Sequence, residues 1–341
     1  MRFHLITNGK SSIYKQLVSQ VETAVHDGNL KANEQLPSMN DLAAELGISR
    51  ETVKKAYGIL TEKGFIIPRQ GRGFYIADPS VKTRPQVLVI FDKLSVYKQL
   101  IFNTFTECLG DSSEITIVNH NQSADLLEYY LDENLDNFDY YVVAPHFPLD
   151  DATQERVVKQ LKRIPFRKLI MLDRLQPDFK GGFGAVYQDF ENDIRAGLTE
   201  GLAYRNKSNK LRVITLPNSL YGKEICKGVK RFSADFNISV EFLDSAPDDI
   251  RPGDTFLVLN SQLDAGLVGL AQHIQRAGLQ VGKDVFIISY NEFDMNELVL
   301  GGLTTVSTDF RQMGQIAAEM ILNKNLQKVH CPFKMYKRNT F

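Results

Sequence analysis

Tryptophan is absent from the 341 residues, and cysteine occurs only at Cys108, Cys226 and Cys331. An odd number of cysteines so far apart argues against a disulfide framework or a zinc site and leaves reduced thiols. No apolar run reaches the roughly 18 residues that span a bilayer. The opening residues, MRFHLITNGKSSIYKQ, lack a continuous apolar segment of the secretory kind. The expectation is a cytoplasmic protein with no membrane partner. Three catalytic words are missing as well: G-x-x-x-x-G-K-[ST], G-x-S-x-G and H-E-x-x-H. The six histidines are scattered, and neither His120 nor His330 has an acidic or cysteine neighbour at metal-ligand spacing. Asp150 and Asp151 read as a helix start, where the dipole favours carboxylates, and GGFG at 181–184 reads as a turn. No catalytic residue, metal or cofactor is expected.

Net charge is also lacking, at −1 overall, but it is unevenly divided. Residues 1–77 hold ten basic and seven acidic residues, whereas the remainder holds 30 and 34. A polyanionic partner therefore belongs to the N-terminal part.

That part contains the most informative stretch, residues 36–73, LPSMNDLAAELGISRETVKKAYGILTEKGFIIPRQGRG. Ser38 followed by Asp41 is an N-terminal capping pattern, and Leu42, Ala43 and Leu46 supply one apolar helix face. Gly47 ends that helix. Ser49 caps the next, which Val53, Ala56, Tyr57 and Leu60 carry towards Gly64. A turn as short as Gly47-Ile48-Ser49 sets the helices at the steep angle of a major-groove reader. Arg50, Glu51, Thr52, Lys54 and Lys55 then project outward near the start of the second helix, where cations and a hydroxyl suit base acceptors and phosphates. Residues 65–68 and 74–77 read as two strands flanking Arg69-Gln70-Gly71-Arg72-Gly73, a basic glycine hairpin able to approach a phosphate or a minor groove. An earlier helix, carried by Ile13, Leu17, Val21 and Ala24, buttresses the pair and ends near Gly28.

The order helix, turn, helix, wing, with the words LPSMNDLAAELGISRETVKKAYGILTEKGFI and RQGRGFYIA, resembles the winged-helix domain of the GntR family of bacterial transcription regulators. The likeness spans residues 13–77. It implies DNA contact through Arg50, Thr52 and Lys54 of the recognition helix and Gly71 at the wing tip. Ser38, Asn40, Ser49, Gln70 and Arg72 complete the candidate DNA-binding set. Asn40 departs from the arginine that many members carry there.

Residues 78–85, DPSVKTRP, have two prolines and no apolar pattern, as a linker would. The expected division is thus a DNA-binding domain at 1–77, a linker at 78–85 and an effector-binding and dimerisation domain at 86–341. From residue 86 apolar strands alternate with amphipathic helices. Strands are expected at 87–91, 115–118, 140–144, 169–172, 213–216, 256–259, 285–289 and 303–306, and helices starting near 97, 124, 152, 191, 223, 264 and 310. The pattern is α/β, with doubly wound parallel sheets in two units that meet near Gln188 and a ligand cleft at the carboxyl ends of the strands. A single large α/β enzyme domain remains an alternative on periodicity alone.

Residues just past the strands are Asp92, Lys93, Pro145, His146, Asp173, Arg174, Asn218, Asn260, Gln262, Tyr290, Asn291, Thr308 and Asp309. Such a set of fixed donors and acceptors suits a polyol, and Phe102, Phe183 or Tyr221 is available to cover an apolar sugar face. Singly, each polar residue here is more often a turn former or helix cap. The words LDR at 172–174, VYQDF at 186–190, VLNSQLDAGLVG at 258–269, IISYNEFD at 287–294 and LTTVSTDFRQMGQIAAEMIL at 303–322, with the closing KMYKRNT, look like the effector domain of LacI-type repressors and their periplasmic sugar-binding relatives. The resemblance implies a two-lobed type I periplasmic-binding fold with crossing strands as a hinge. It also implies effector contacts at Asp173, Arg174, Asn260, Asn291 and Thr308, with Lys223 a weaker candidate, beside Asp92, Lys93 and His146 from the strand ends. Asn291 stands where aspartate is usual, and Thr308 where glutamine often stands.

A GntR-type reader on such a body resembles the arabinose-responsive repressors of that joint architecture. The expected function is a homodimeric, sequence-specific transcriptional repressor of a double-stranded DNA operator, controlled by a small-molecule effector, a sugar. The alternatives are a winged helix fused to a pyridoxal-phosphate enzyme, or a regulator sensing a nucleobase or an amino acid.

Overall fold

The computed structural model describes residue 3 and residues 12–69, 71–78, 84–135, 137–204, 210–215, 219–259 and 265–341. It divides into two compact units, Met1–Thr83 and Arg84–Phe341.

In the first unit, α1 (Ile13–His26), α2 (Met39–Leu46) and α3 (Arg50–Glu62) precede a hairpin of β1 (Ile66–Arg69) and β2 (Gly73–Ile76). The cap residues act as their positions dictate. Ser38 Oγ accepts from the Asp41 amide at 3.1 Å, and Ser49 Oγ accepts from the Thr52 amide at 3.2 Å. Gly47 adopts φ 64° at the turn, a conformation that costs other residues about 1 kcal/mol or more. Leu17, Val21, Leu42, Val53, Ala56, Tyr57, Leu60, Ile66 and Ile76 fuse into one core, and Ile48 packs against it at the corner. The Tyr57 hydroxyl donates to Pro37 O at 2.9 Å, fixing the entry to α2. The wing is antiparallel, with Ile66 opposite Ile76 and Arg69 opposite Gly73. Residues 34–36 add a partial third strand through the amides of Leu36 and Ile76. Of residues 1–12, only 3 and 12 are among the described residues.

The second unit holds two six-stranded sheets. The first lobe contains β3 (Gln86–Phe91), α4 (Val96–Leu109), β4 (Glu114–Asn119), α5 (Ala124–Asn134), β5 (Tyr140–Val143), α6 (Asp151–Leu161), β6 (Leu169–Asp173) and β7 (Gly184–Tyr187). The second contains α7 (Phe190–Gly201), β8 (Lys210–Ile214), α8 (Gly222–Phe236), β9 (Ser239–Leu243), β10 (Thr255–Val258), α9 (Ala265–Arg276), β11 (Phe286–Tyr290) and β12 (Thr304–Thr308). The chain then returns through α10 (Phe310–Leu322) and β13 (Lys328–His330) to the first lobe, and ends on β14 (Phe333–Tyr336) in the second. The sheet orders are β13-β7-β6-β5-β3-β4 and β14-β12-β11-β10-β8-β9, all parallel except β14 against β12. Strand β5, and β6 up to its terminal Asp173, are buried runs without a charged residue because helices cover both faces.

Three crossings join the lobes: Tyr187 to Phe190, Thr308 to Phe310 and His330 to Phe333. Hydrogen bonds bind the crossings together, from Cys331 N to Tyr187 O at 2.8 Å and from Asp309 N to Pro332 O at 2.9 Å. The closing residues complete the second lobe. Arg338 pairs with Glu292 at 2.8 Å, and the Thr340 hydroxyl donates to Ile287 O at 2.8 Å.

Helix α10 can return to α4 only because Gly314 has no side chain. A Cβ there would stand 2.3 Å from Ile101 O. Backbone cannot yield as a flexible side chain does, so Gly314→Ala is expected to cost about 1–3 kcal/mol in urea unfolding.

His120 is buried between β4 and α5, stacked on Phe147 at 4.0 Å. Its Nε2 donates to Ala144 O at 3.0 Å, while Nδ1 accepts from the Gln122 amide at 3.1 Å. Burial lowers the imidazole to about 4, and a proton on Nδ1 would face the Gln122 N–H. A base lowered on folding adds stability above its unfolded value near 6.5 and loses it as pH falls towards 4, here by about 3 kcal/mol. His120→Gln can keep both hydrogen bonds without a titrating ring. Urea titrations at pH 7 and pH 5 should show a smaller stability loss in that variant than in the parent.

Candidate functional site

The first unit presents its basic residues selectively. Of the six between residues 49 and 73, three are engaged within the unit. Lys63 pairs with Glu22 at 2.5 Å, Arg69 donates to Asn33 and lies 4.4 Å from the Tyr75 ring centre, and Lys55 lies 4.1 Å from that of Tyr14. Arg50, Lys54 and Arg72 are exposed. Among the described residues Lys54 has one acidic neighbour, the solvent-screened Glu51 at 4.0 Å on its own helix, and no carboxylate pairs with Arg50 or Arg72. Arg50, Thr52 and Lys54 lie at the N-terminal, partially positive end of α3, as an anion-binding face requires. Asn40 is exposed at the start of α2, and Ser38 and Ser49 already serve as caps. Gly71 takes φ 69° in the tight turn closed by Arg72 N to Arg69 O at 2.9 Å. Gln70 lies outside the described residues.

In the second unit the carboxyl ends of β3, β5 and β6 bring Asp92, His146 and Asp173 around one buried ammonium, that of Lys98 on α4. Lys98 donates to Asp173 Oδ2 and stands 3.8 Å from Asp92 Oδ1. His146 Nε2 is 2.9 Å from the same Asp173 oxygen, and Nδ1 is 2.7 Å from the Tyr221 hydroxyl. One tautomer satisfies this chain: Tyr221 donates to Nδ1, and Nε2–H donates to Asp173. The 3.1 Å approach of Lys98 to Nε2 is then a contact between two donors that share an acceptor. Burial, then the Lys98 charge, push His146 below its ordinary value. Burial opposes ionisation of Asp173, but Lys98 and His146 outweigh it and hold the carboxyl well below the usual range.

The His146–Tyr221 bond spans the lobes, since His146 follows β5 and Tyr221 precedes α8. The Tyr221 ring stacks on Phe190 at 4.3 Å with an 8° tilt, and the Arg174 guanidinium lies 4.9 Å from its centre. Among the described residues, several buried polar atoms have no hydrogen-bond partner: Asp92 Oδ1 and Arg174 Nη1 in the first lobe, and Tyr290 OH, Asn291 Oδ1 and Glu224 Oε2 in the second. Asp173 and Asn291 hold φ 72° and 74°, left-handed values that non-glycine residues keep only where the surroundings enforce them.

Several sequence expectations change. Phe183 does not face a ligand; it is buried with Phe166 and Phe179 in the first-lobe core. Phe102 packs edge-on to Phe91, so of the three aromatic candidates Tyr221 is the one that bonds across the lobe junction. Gly184, expected to close the turn at 181–184, instead opens strand β7. Lys93 and Lys223 are exposed and stand apart from the buried network. Thr308 is buried, and its hydroxyl donates to Gln188 Oε1 at 2.7 Å. Asn218, Asn260 and Gln262 lie outside the described residues. Lys98 and Gln188 join the network without having been foreseen. The available signal for Lys98 was its place at the head of the inward stripe of α4, with Ile101, Phe105 and Leu109 below it.

Comparison with known proteins gives these two units their kinship. Residues 13–76 match the gntR family of bacterial regulatory proteins, and residues 228–330 match a periplasmic binding protein-like domain. The arabinose metabolism transcriptional repressor of Geobacillus stearothermophilus is 22% identical, covering 91% of this chain and 90% of that protein. The transcriptional repressor NagR of Bacillus subtilis is 34% identical over 23% of this chain, which spans only 32% of that relative's length. Among solved structures, the trehalose repressor of Escherichia coli superposes with a TM-score of 0.57 at 14% identity, covering 74% of this chain and 100% of that one. The lac repressor bound to ONPG does so with 0.58 at 17% identity, covering 90% and 100%. Residues 13–76 are therefore a gntR-family regulatory domain, joined in this chain to a periplasmic binding protein-like body.

Proposed function

We propose that the chain is a transcriptional repressor of sugar-metabolism genes, whose grip on an operator is set by a small sugar held between the two lobes. The observation that carries the reading is the lobe junction. Among the described residues, buried polar atoms without a hydrogen-bond partner occur just past the strands of both lobes, at Asp92 and Arg174 in the first and at Asn291 in the second, and the Tyr221 ring, stacked on Phe190, offers an aromatic face. Hydroxyl groups are the ligand chemistry that would satisfy them. Asp92, His146, Asp173, Arg174 and Asn291 form the effector face, with Lys98, Tyr221 and Tyr290 added. Asn260 belongs to the candidate set by position. Thr308 acts from behind, through Gln188.

Arg50, Thr52, Lys54, Gly71 and Arg72 form the DNA face, and the protein acts in the cytoplasm as a homodimer on a pseudo-palindromic site. One reader helix covers too few base pairs for selectivity, whereas two related by a dyad give both affinity and a spacing rule. The name of the Geobacillus relative makes arabinose the first effector to try. The pyridoxal-phosphate alternative is not favoured, because residues 84–341 have the topology of a binding protein with three crossings.

The test is fluorescence anisotropy with duplexes selected from a random pool by the full-length chain. Selected duplex should bind more tightly than scrambled duplex, and arabinose or another member of a sugar panel should change that affinity. Equal affinity for selected and scrambled duplex would remove the regulator reading. Unchanged affinity under every ligand that binds would remove the effector half.

A further inference from the structure

The Asp173 carboxylate has a second side. Its Oδ2 faces Lys98 and His146 in the cleft, whereas its Oδ1 accepts from Gln188 Nε2. Gln188 lies on the first crossing between the lobes, directly after β7. Its other amide atom, Oε1, accepts from Thr308, which ends β12 at the second crossing. Asp173, Gln188 and Thr308 are all buried. The amide orientation is forced. An ionised carboxylate only accepts, so the NH2 group must face Asp173 and the oxygen must face the hydroxyl. The backbone repeats the link, with Gln188 N donating to Asp173 O at 3.2 Å. The third crossing is tied to the other two, by Cys331 N to Tyr187 O and by Cys331 Sγ to Asp309 O at 3.3 Å. Among the described residues, Gln188 is the side chain that bonds both to the cleft network and to a second crossing.

We infer that Gln188 is a positioning residue that couples the cleft to the hinge: a change in the partners of Asp173 reaches the crossing strands through its amide and alters how the lobes close. This rests on the reading of the cleft as the effector site. An effector that takes over Lys98 or His146 leaves Asp173 held by Gln188, and any shift of the carboxylate must then move the amide or break its bond to Thr308. Two discrete arrangements of a buried hydrogen-bonded bridge are what a two-state hinge needs.

The test is amide hydrogen exchange at residues 188, 309 and 331 of the full-length protein. Gln188→Met keeps the shape and removes both hydrogen bonds. It should speed exchange at these hinge amides by about tenfold, the scale of one hydrogen bond lost, with amides in β5 and β10 unchanged. Arabinose, the probe, should alter hinge exchange in the parent chain. In Gln188→Met it should still bind by calorimetry but leave hinge exchange unaltered.

Gln188→Glu supplies a readout that a merely structural role would not move. A carboxyl at 188 can donate to Asp173 only when protonated, so hinge protection should match the parent at acid pH and fall as pH rises. Exchange equal to the parent's in Gln188→Met, or a flat pH profile in Gln188→Glu, overturns the proposal. Lys98→Met perturbs the cleft without a ligand. It should move the hinge amides in the parent but not in the Gln188→Met background, and equal movement in both also overturns the proposal. If arabinose and the other sugars fail to bind while this double-variant pattern holds, the effector reading falls and the coupling stands.

Discussion

Alanine at both Arg50 and Lys54 should weaken binding to the selected duplex by roughly a hundredfold, from about 1–3 kcal/mol for a base-contacting arginine and a smaller share for a phosphate-contacting lysine. The two losses differ in kind. Arg50→Ala should relax sequence preference at one operator position, whereas Lys54→Ala should weaken all duplexes alike and reduce the slope of log affinity against log salt by about 1. The contrast with Lys63 makes the expectation specific. Lys63 has equal formal charge and belongs to the same helix-and-wing stretch, but Glu22 pairs with it at 2.5 Å. Lys63→Ala should therefore leave anisotropy titrations near the parent's. A loss from Lys63→Ala as large as that from Arg50→Ala would mean that summed charge, and not the α3 face, holds the DNA.

The reading head was legible in the sequence because its determinants are local. Ser38, Gly47 and Ser49 set helix ends within a few residues of themselves, and Gly71 and Gly73 set the wing turn. Most strands of the body were legible for the same reason, as apolar runs long enough to be buried on both faces. Four were not. Strand β9 alternates weakly at a sheet edge, β13 and β14 are short, and β7 begins inside a glycine-rich segment whose composition suggests a turn.

Missing β7 hid a functional residue. Polar residues at strand ends stand out in a sequence, and a strand at 184–187 that its residues do not announce leaves Gln188 without that signal. Lys98 was hidden differently. A lysine at the head of a helix looks solvated, and only the convergence of Asp92, His146 and Asp173 from three separate strand ends makes its burial tolerable. Their sequence separations carry no local signal of that meeting. Phe183 shows the reverse error, an aromatic beside a loop that the core had already claimed.

Asp173→Ala should destabilise the body by about 3–5 kcal/mol at neutral pH, because it strands the Lys98 ammonium in the interior with only Asp92, 3.8 Å away, as a counter-charge. The pH dependence has a definite sign. A carboxyl held well below its usual range contributes stability above the unfolded value near 3.9 and loses it as pH falls through the lower folded value. The gap between parent and variant in urea unfolding should therefore be full at pH 7 and pH 5 and shrink only below about pH 4, a window separate from that of His120.

Lys98→Met is the informative counterpart. It leaves two carboxylates facing His146 and removes the ammonium that helped to push the imidazole down, so the ring should take up a proton at higher pH, visible as a shifted His146 titration by NMR. That imidazolium replaces the lost cation, and Lys98→Met should cost less than Asp173→Ala. Equal costs, with His146 still refusing a proton, would show that the cluster is a rigid structural plug and not a set of charges able to exchange partners. Exchangeability is the property an effector needs. A network held together by its own ammonium can be opened by a ligand whose hydroxyls replace some of those bonds, at a net difference of only a few kcal/mol between the two arrangements of the lobes.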